Sequence, residues 1–187
     1  MSIELKFHEL KALLSGSIFE GCFHGGASQY DFDELERRTN IAVVGGLRTL
    51  WSLANGAEYR QYGTPVFGVE TDELTPCGFL SISEAIETRQ RLLDEWAPFV
   101  EDLRLGDTRI AKLGINPGWI PFGEFNGEGT VLFYDSAPGP KGTVGQVIAF
   151  QHDPDGMYCL ASSFDEFFSL SNRLLKDGDL NSWINDE

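Results

Sequence analysis

Between Gly118 and Ser163 the chain reads GWIPFGEFNGEGTVLFYDSAPGPKGTVGQVIAFQHDPDGMYCLASS. Three apolar runs, Val131–Tyr134, Val144–Phe150 and Met157–Ala161, are separated by segments built from Asp, Ser, Pro and Gly. Asp135–Thr143 is the first separator and Asp153–Gly156 the second. Short β-prone runs joined by such turns predict an antiparallel meander. Trp119–Phe122, with Pro121 inside it, predicts an edge strand ahead of the meander, because proline brings no ladder donor.

The rest of the chain predicts helices. Ile3, Leu5, Phe7, Leu10, Leu13 and Leu14 give a first helix over residues 3–14. Ser15–Gln29 is rich in Gly and Ser and predicts a loop. Asp31, with Glu34 three residues on, predicts an N-cap and a helix through Arg38. Leu47, Leu50, Trp51 and Ala54 make one apolar face of a short helix that Asn55-Gly56 stops, with Trp51 in the core. Pro65–Val69 reads as a possible strand, and Gly78–Ile82 as a short strand entering a helix. Ser81 and Glu84 form a capping box for that helix; Ala85, Ile86, Leu93 and Trp96 form its buried face, and Pro98 ends it. Val100–Pro117 shows no clear pattern. Ser163 and Glu166 cap a last helix with the face Phe164, Phe167, Phe168, Leu174 and Leu175, stopped at Gly178; Trp183 is an anchor candidate in the tail. Helices and strands are segregated rather than alternating. The predicted class is α+β: a single domain over residues 1–187 with a mainly antiparallel sheet and helices packed on one side.

Composition narrows function. With 29 acidic residues against 14 basic ones, the formal charge is −15, spread along the whole chain. That removes the basic footprint a nucleic-acid binder needs and disfavours anionic membrane, while it suits a basic protein partner. No run approaches a membrane span, and the N-terminus mixes charges into its apolar residues, unlike a signal peptide; the expected compartment is the cytoplasm. Cys22, Cys77 and Cys159 are odd in number and far apart, so they make no disulfide framework. Cys22 and His24 lack a second ligand pair for zinc. No metal or cofactor is expected.

Several segments, in this order, resemble the SUKH superfamily of the Smi/Knr type, which includes a yeast regulator of cell-wall assembly and bacterial immunity proteins against polymorphic toxins. They are FDELERRTNIAVVGGLRTLWSLANGA from Phe32 to Ala57, GFLSISEA from Gly78, GWIPFG from Gly118, DSAPGPKGTVGQVIAF from Asp135 and LASSFDEFF from Leu160. The resemblance is clearest over residues 32–177. Two departures stand out. Val44-Gly45-Gly46 replaces a proline that family members carry near the start of the second helix. Gly129-Thr130, preceded by Glu128, replaces their Gly-Asp.

Motifs of chemistry are sparse. SAPGPKGT precedes a β-prone run rather than a helix, so it reads as a hairpin turn and not a phosphate loop. DPDG at Asp153–Gly156 lacks the remaining ligands of a calcium loop. There is no Gly-x-Ser-x-Gly and no His-Glu-x-x-His. A carboxylate pair such as Glu124 and Asp135 would need a defined separation to act as a glycosidase. The expectation is therefore no enzyme and no catalytic residue. The resemblance implies a cytoplasmic immunity protein that binds a cognate toxin with a basic surface and blocks it sterically. The alternatives are a regulatory adaptor like the yeast relative, disfavoured here by the lack of long flanks, and a small hydrolase. The expected partner-binding residues are Glu70, Asp72, Glu73, Glu124, Glu128 and Asp135, with Trp119 as an aromatic anchor.

Overall fold

The computed structural model describes residues 1–59, 64–71, 74–96, 106–112, 115–125, 129–152 and 155–178. Its elements run α1 (Ile3–Leu14), α2 (Gln29–Thr39), α3 (Gly46–Leu53), β1 (Phe67–Glu70), β2 (Leu74–Cys77), α4 (Ile82–Trp96), β3 (Trp119–Phe125), β4 (Thr130–Asp135), β5 (Gln146–Gln151), β6 (Gly156–Ala161) and α5 (Phe164–Asp177). The turn-separated apolar runs do form the meander. Strands β3 to β6 lie in sequence order, each antiparallel to the next. Pro121 sits beside a bulge, where the β3–β4 register slips and the ladder is interrupted anyway. The class is α+β, as expected.

A second hairpin, β1–β2, pairs Phe67 with Cys77. Its second strand carries Pro76, which hides it from a propensity reading. Gly78 and Leu80 then donate their N–H groups to the carbonyls of Glu124 (2.8 Å) and Phe122 (2.9 Å). The segment expected as a strand is thus irregular, yet it staples the hairpin to the outer edge of β3.

Helix starts follow capping chemistry, with one shift. The α2 cap is Ser28, whose hydroxyl accepts from the Asp31 N–H while the Asp31 carboxylate accepts from the Ser28 N–H. Asp31 is therefore the third residue of the capping box rather than its cap, and the helix begins earlier than expected. The Ser81–Glu84 box forms as read. At α5 the Ser163 hydroxyl accepts from Glu166, but the Glu166 carboxylate reaches back to Ser162. Asn55 does not cap α3. Its side-chain oxygen accepts from the Ile82 N–H (2.9 Å), so it ties the end of α3 to the start of α4. Gly56 follows at φ +88°, where a Cβ would lie 2.6 Å from the Ser81 nitrogen. That position accepts only glycine.

The large core lies on one face of the four-stranded sheet, under α1, α3 and α5. Phe67 is its hub, meeting the rings of Phe79, Phe122, Phe164, Phe167 and Phe168. Trp51 is fully buried there and donates its indole N–H to the Leu80 carbonyl (2.9 Å). Buried polar contacts lock α5 in place. Ser171 accepts from the Gly68 N–H, Asn172 donates to the Lys6 carbonyl, and the buried Lys6 ammonium donates to the Asp165 carbonyl. The sheet's opposite face is also covered. Leu92 of α4, with Ile110 and Ile115, closes over Trp119, Val131, Phe133, Ile148, Phe150 and Met157. Helix α4 thus reaches beyond the one-sided packing expected, and Leu92 rather than Leu93 is its deepest residue at that end. Pro98, Trp183 and the Trp96 side chain lie outside the described residues, as do Asp153 and Pro154 of the predicted second turn.

Candidate functional site

The Asp135–Gln146 stretch is held from within. The Asp135 carboxylate accepts from the Ala137 N–H (2.9 Å) and from the Gln146 amide (2.8 Å). That same amide donates to the Arg109 carbonyl, and the Gln146 side-chain oxygen accepts from the Thr143 N–H. Gly139 and Lys141 donate backbone N–H groups to the carbonyls of Arg109 and Thr108. Gly142 packs so closely on the Arg109 carbonyl that a Cβ would overlap it. The result is a polar clamp that fastens the irregular 106–110 segment to the mouth of the sheet. Burial raises the Asp135 carboxyl above the usual carboxylate range, and the bonds from Gln146 and Ala137 pull against that rise. The Trp119 indole N–H adds a weaker pull without meeting hydrogen-bond geometry.

Asp135 and Trp119 are therefore interior residues. Asp135 is 0% exposed and Trp119 1%. The reading of these two as partner-facing is corrected: Trp119 is the floor of the second core and Asp135 the anchor of the clamp. Nor do Glu124 and Asp135 form a carboxylate pair. Asp135 stands opposite Trp119 and Glu124 opposite Val131, at the two ends of the β3–β4 ladder. At ~3.3 Å per residue that places them roughly 13 Å apart, beyond the roughly 5–9.5 Å that glycoside hydrolysis uses.

Glu70 is exposed at the end of β1, beside a narrow groove against Leu160 and α5. Asp72, Glu73 and Glu128 lie outside the described residues. Glu124 enters a different setting. Where β2, the Gly78–Leu80 segment, the start of α4 and the end of β3 converge, a cleft of about 230 Å³ opens. Tyr59, Phe79 and Phe125 line it together with Glu58, Glu84 and Glu124. Glu84 is fixed by its capping bond to the Ser81 N–H (2.7 Å), and Glu124 stands 3.9 Å from the Arg91 guanidinium. Sequence reasoning missed Glu58 and Glu84 as neighbours of Glu124, because 40 or so intervening residues must fold before the three meet. The capping motif at Ser81 was the one local signal, and it spoke for helix initiation only.

Among the described residues no group of three or more His, Cys, Asp or Glu side chains could hold a metal ion. Cys22 and Cys77 are buried free thiols, and burial pushes the Cys77 thiol well up; Cys159 is half-buried and also raised by burial. No described helix is long and apolar enough to cross a membrane.

The chain is an α+β domain with both faces of its four-stranded sheet covered and a small surface cleft. The profile of the SMI1 / KNR4 family (SUKH-1) matches residues 26–170, most of the chain, and the protein belongs to that family. Over 73 residues it is 38% identical to the cell wall biosynthesis/cell cycle regulator smi1 of Schizosaccharomyces pombe, an alignment covering 38% of this chain and 14% of that protein. It is 40% identical over 78 residues to a glucan synthesis regulatory protein of Neurospora crassa, covering 42% and 14%. Over 95 residues it is 30% identical to a KNR4/SMI1 homolog of Yarrowia lipolytica, covering 51% and 12%. The matches thus span only about an eighth to a seventh of the length of these relatives.

Proposed function

We propose that this chain is a non-enzymatic protein-binding module of the regulatory kind, acting in control of cell-wall or glucan synthesis by holding a partner protein. The observation that carries this reading is the family match over residues 26–170, together with relatives whose names describe regulators of wall and glucan synthesis. The structure supports it by where the motif residues sit. Asp135, Gln146 and Trp119 are consumed by folding, so partner choice falls to the surface. The module acts in the cytoplasm. The test is deletion of the gene in its own organism. The expected result is altered wall-polymer content and sensitivity to wall-weakening agents, restored by the wild-type gene. Unchanged wall composition with intact resistance overturns the reading.

The formal charge of −15 favours a second reading, immunity against a cognate toxin with a basic surface. There the expected outcome is that co-expression rescues growth from the toxin. Charge reversal of Glu70, Asp72 and Glu73 to Lys would slow association about tenfold and weaken its salt dependence. Equal, salt-independent association rates for both forms would remove that loop from the interface.

A further inference from the structure

We infer that two copies of this chain join through the groove between α1 and α5, each copy laying its α1 along the α5 of the other. This interface is independent of the regulatory reading above.

Helix α1 supplies the first reason. Its inner stripe, Ile3, Phe7, Leu10 and Leu14, is buried in the large core. A second stripe, Leu5, Ala12 and Leu13, recurs at i, i+7 and i+8 around the helix, with Glu9 at i+4. Leu5 is 56% exposed. A surface helix needs one apolar stripe, and a helix with two is built to pack on both sides. Ala12 and Leu13 of the second stripe line a groove of about 630 Å³ against α5, with the buried Asn172 at its floor. The Asn172 amide nitrogen donates to the Lys6 carbonyl (2.8 Å), while its oxygen has no hydrogen-bond partner among the described residues. A buried acceptor left so is costly until a donor reaches it.

The charges of the groove choose the occupant. Glu9 stands on the α1 wall, and Arg173 and Lys176 on the α5 wall, with Asp177 beyond them at the end of the helix. All four are exposed, and among the described residues none of these side chains forms an ion pair or a hydrogen bond. They are not spent on the fold, and Glu9 does not reach the bases opposite. The formal charge of −15 draws basic molecules. In this groove a basic segment meets Arg173 and Lys176 and is turned away. The occupant must bring an acid to α5 and a base to α1, and the α1 and α5 of a second copy do both. A two-fold axis across the groove sets Glu9 of each copy against Arg173 and Lys176 of the other, so every pairing occurs twice. The same arrangement covers Leu5, Ala12 and Leu13 and brings donors toward the Asn172 oxygen. At physiological salt the repulsion between two acidic molecules is screened beyond roughly 8 Å, whereas pairs enclosed in the groove are screened much less.

The experiment is sedimentation velocity of the full-length chain at physiological salt over a concentration series. The expected result is a reversible monomer–dimer equilibrium. Glu9→Arg should weaken dimerisation about tenfold, as should Arg173→Glu combined with Lys176→Glu. All three changes together should restore most of the loss, because the signs are exchanged rather than removed. Leu5→Asp should weaken it at least as much, and Glu34→Gln on α2 should leave it unchanged. Circular dichroism and thermal melting like the wild type establish that the variants fold; should Leu5→Asp not fold, the charge exchange alone decides. A monomer at every concentration overturns the inference. So does a dimer that neither charge reversal weakens, which places the contact on another face, or one that the triple exchange fails to restore. The two readings fail separately. A dimer without any wall phenotype on deletion removes the regulatory role and keeps the interface. A wall phenotype from a chain that stays monomeric removes the interface and keeps the regulator.

Discussion

The two faces of the four-stranded sheet are buried by different means. One carries regular helices with a cluster of phenylalanines around Phe67, and its apolar contacts are supplemented by a few buried hydrogen bonds such as Gly68–Ser171 and Asn172–Lys6. The other is closed by Leu92 at one end of α4, by Ile115 and by Ile110 of the irregular 106–110 segment, which the Asp135–Gln146 clamp fastens in place. The first cover is built mainly by amphipathic helices. The second needs specific hydrogen bonds to hold a segment with no secondary structure of its own. Damage on the first face should therefore cost global stability, and damage on the second should loosen one side of the sheet first.

The largest effect expected is from Trp51→Ala. It removes a fully buried indole and strands the Leu80 carbonyl, and should cost about 3–5 kcal/mol with all probes unfolding together; chemical denaturation followed by circular dichroism checks both points. An unchanged midpoint would mean that the helical face is not the dominant core.

Gln146→Ala comes next, at about 2–3 kcal/mol near neutral pH, because it leaves a buried carboxylate short of a donor. Its sign with pH follows from Asp135. The folded carboxyl is raised by burial, so its contribution is fully present below the unfolded value and is lost as pH rises through the folded one. Removing the Gln146 bond raises the folded value further. The deficit relative to wild type should thus be small near pH 4 and grow toward pH 7, as read by denaturation at a series of pH values. A deficit independent of pH would show that Asp135 is not the group left stranded.

Gly142→Ala sharpens the same contrast. The added methyl meets the Arg109 carbonyl, and the loop must shift, at about 1–2 kcal/mol. Hydrogen exchange should accelerate in 106–112 and β4 while α1 and α5 keep their protection. Uniform acceleration would mean that the two faces are one cooperative unit. Ser28→Ala is the smallest, at about 1 kcal/mol, since it removes one cap from a helix on the first face; a thermal melt shifted by a few degrees would register it.

The contrast also explains what could be read in advance. The meander, the α3 face around Trp51 and the Ser81 and Ser163 caps were legible, because periodicity and capping are local. Ile110 and Ile115 were not, because the sequence around them shows no period, and on the predicted α4 face the neighbouring Leu93 stood in for Leu92. Ser171 and Asn172 are buried for partners more than a hundred residues away. Trp119 and Asp135 looked like surface features because an aromatic beside a turn, and an acid beginning one, have the same local appearance whether exposed or buried.

By itself the sequence determined the family, the α+β class, the strand order implied by short turns, and the acidic character of the molecule. Each follows from near-neighbour chemistry or from composition. Only the tertiary structure decided that Asp135 is a clamp, that the sheet is covered on both faces, and that Glu58, Glu84 and Glu124 share a cleft with aromatic residues. Burial and convergence depend on which distant segments come to rest on a residue, and no local pattern encodes that.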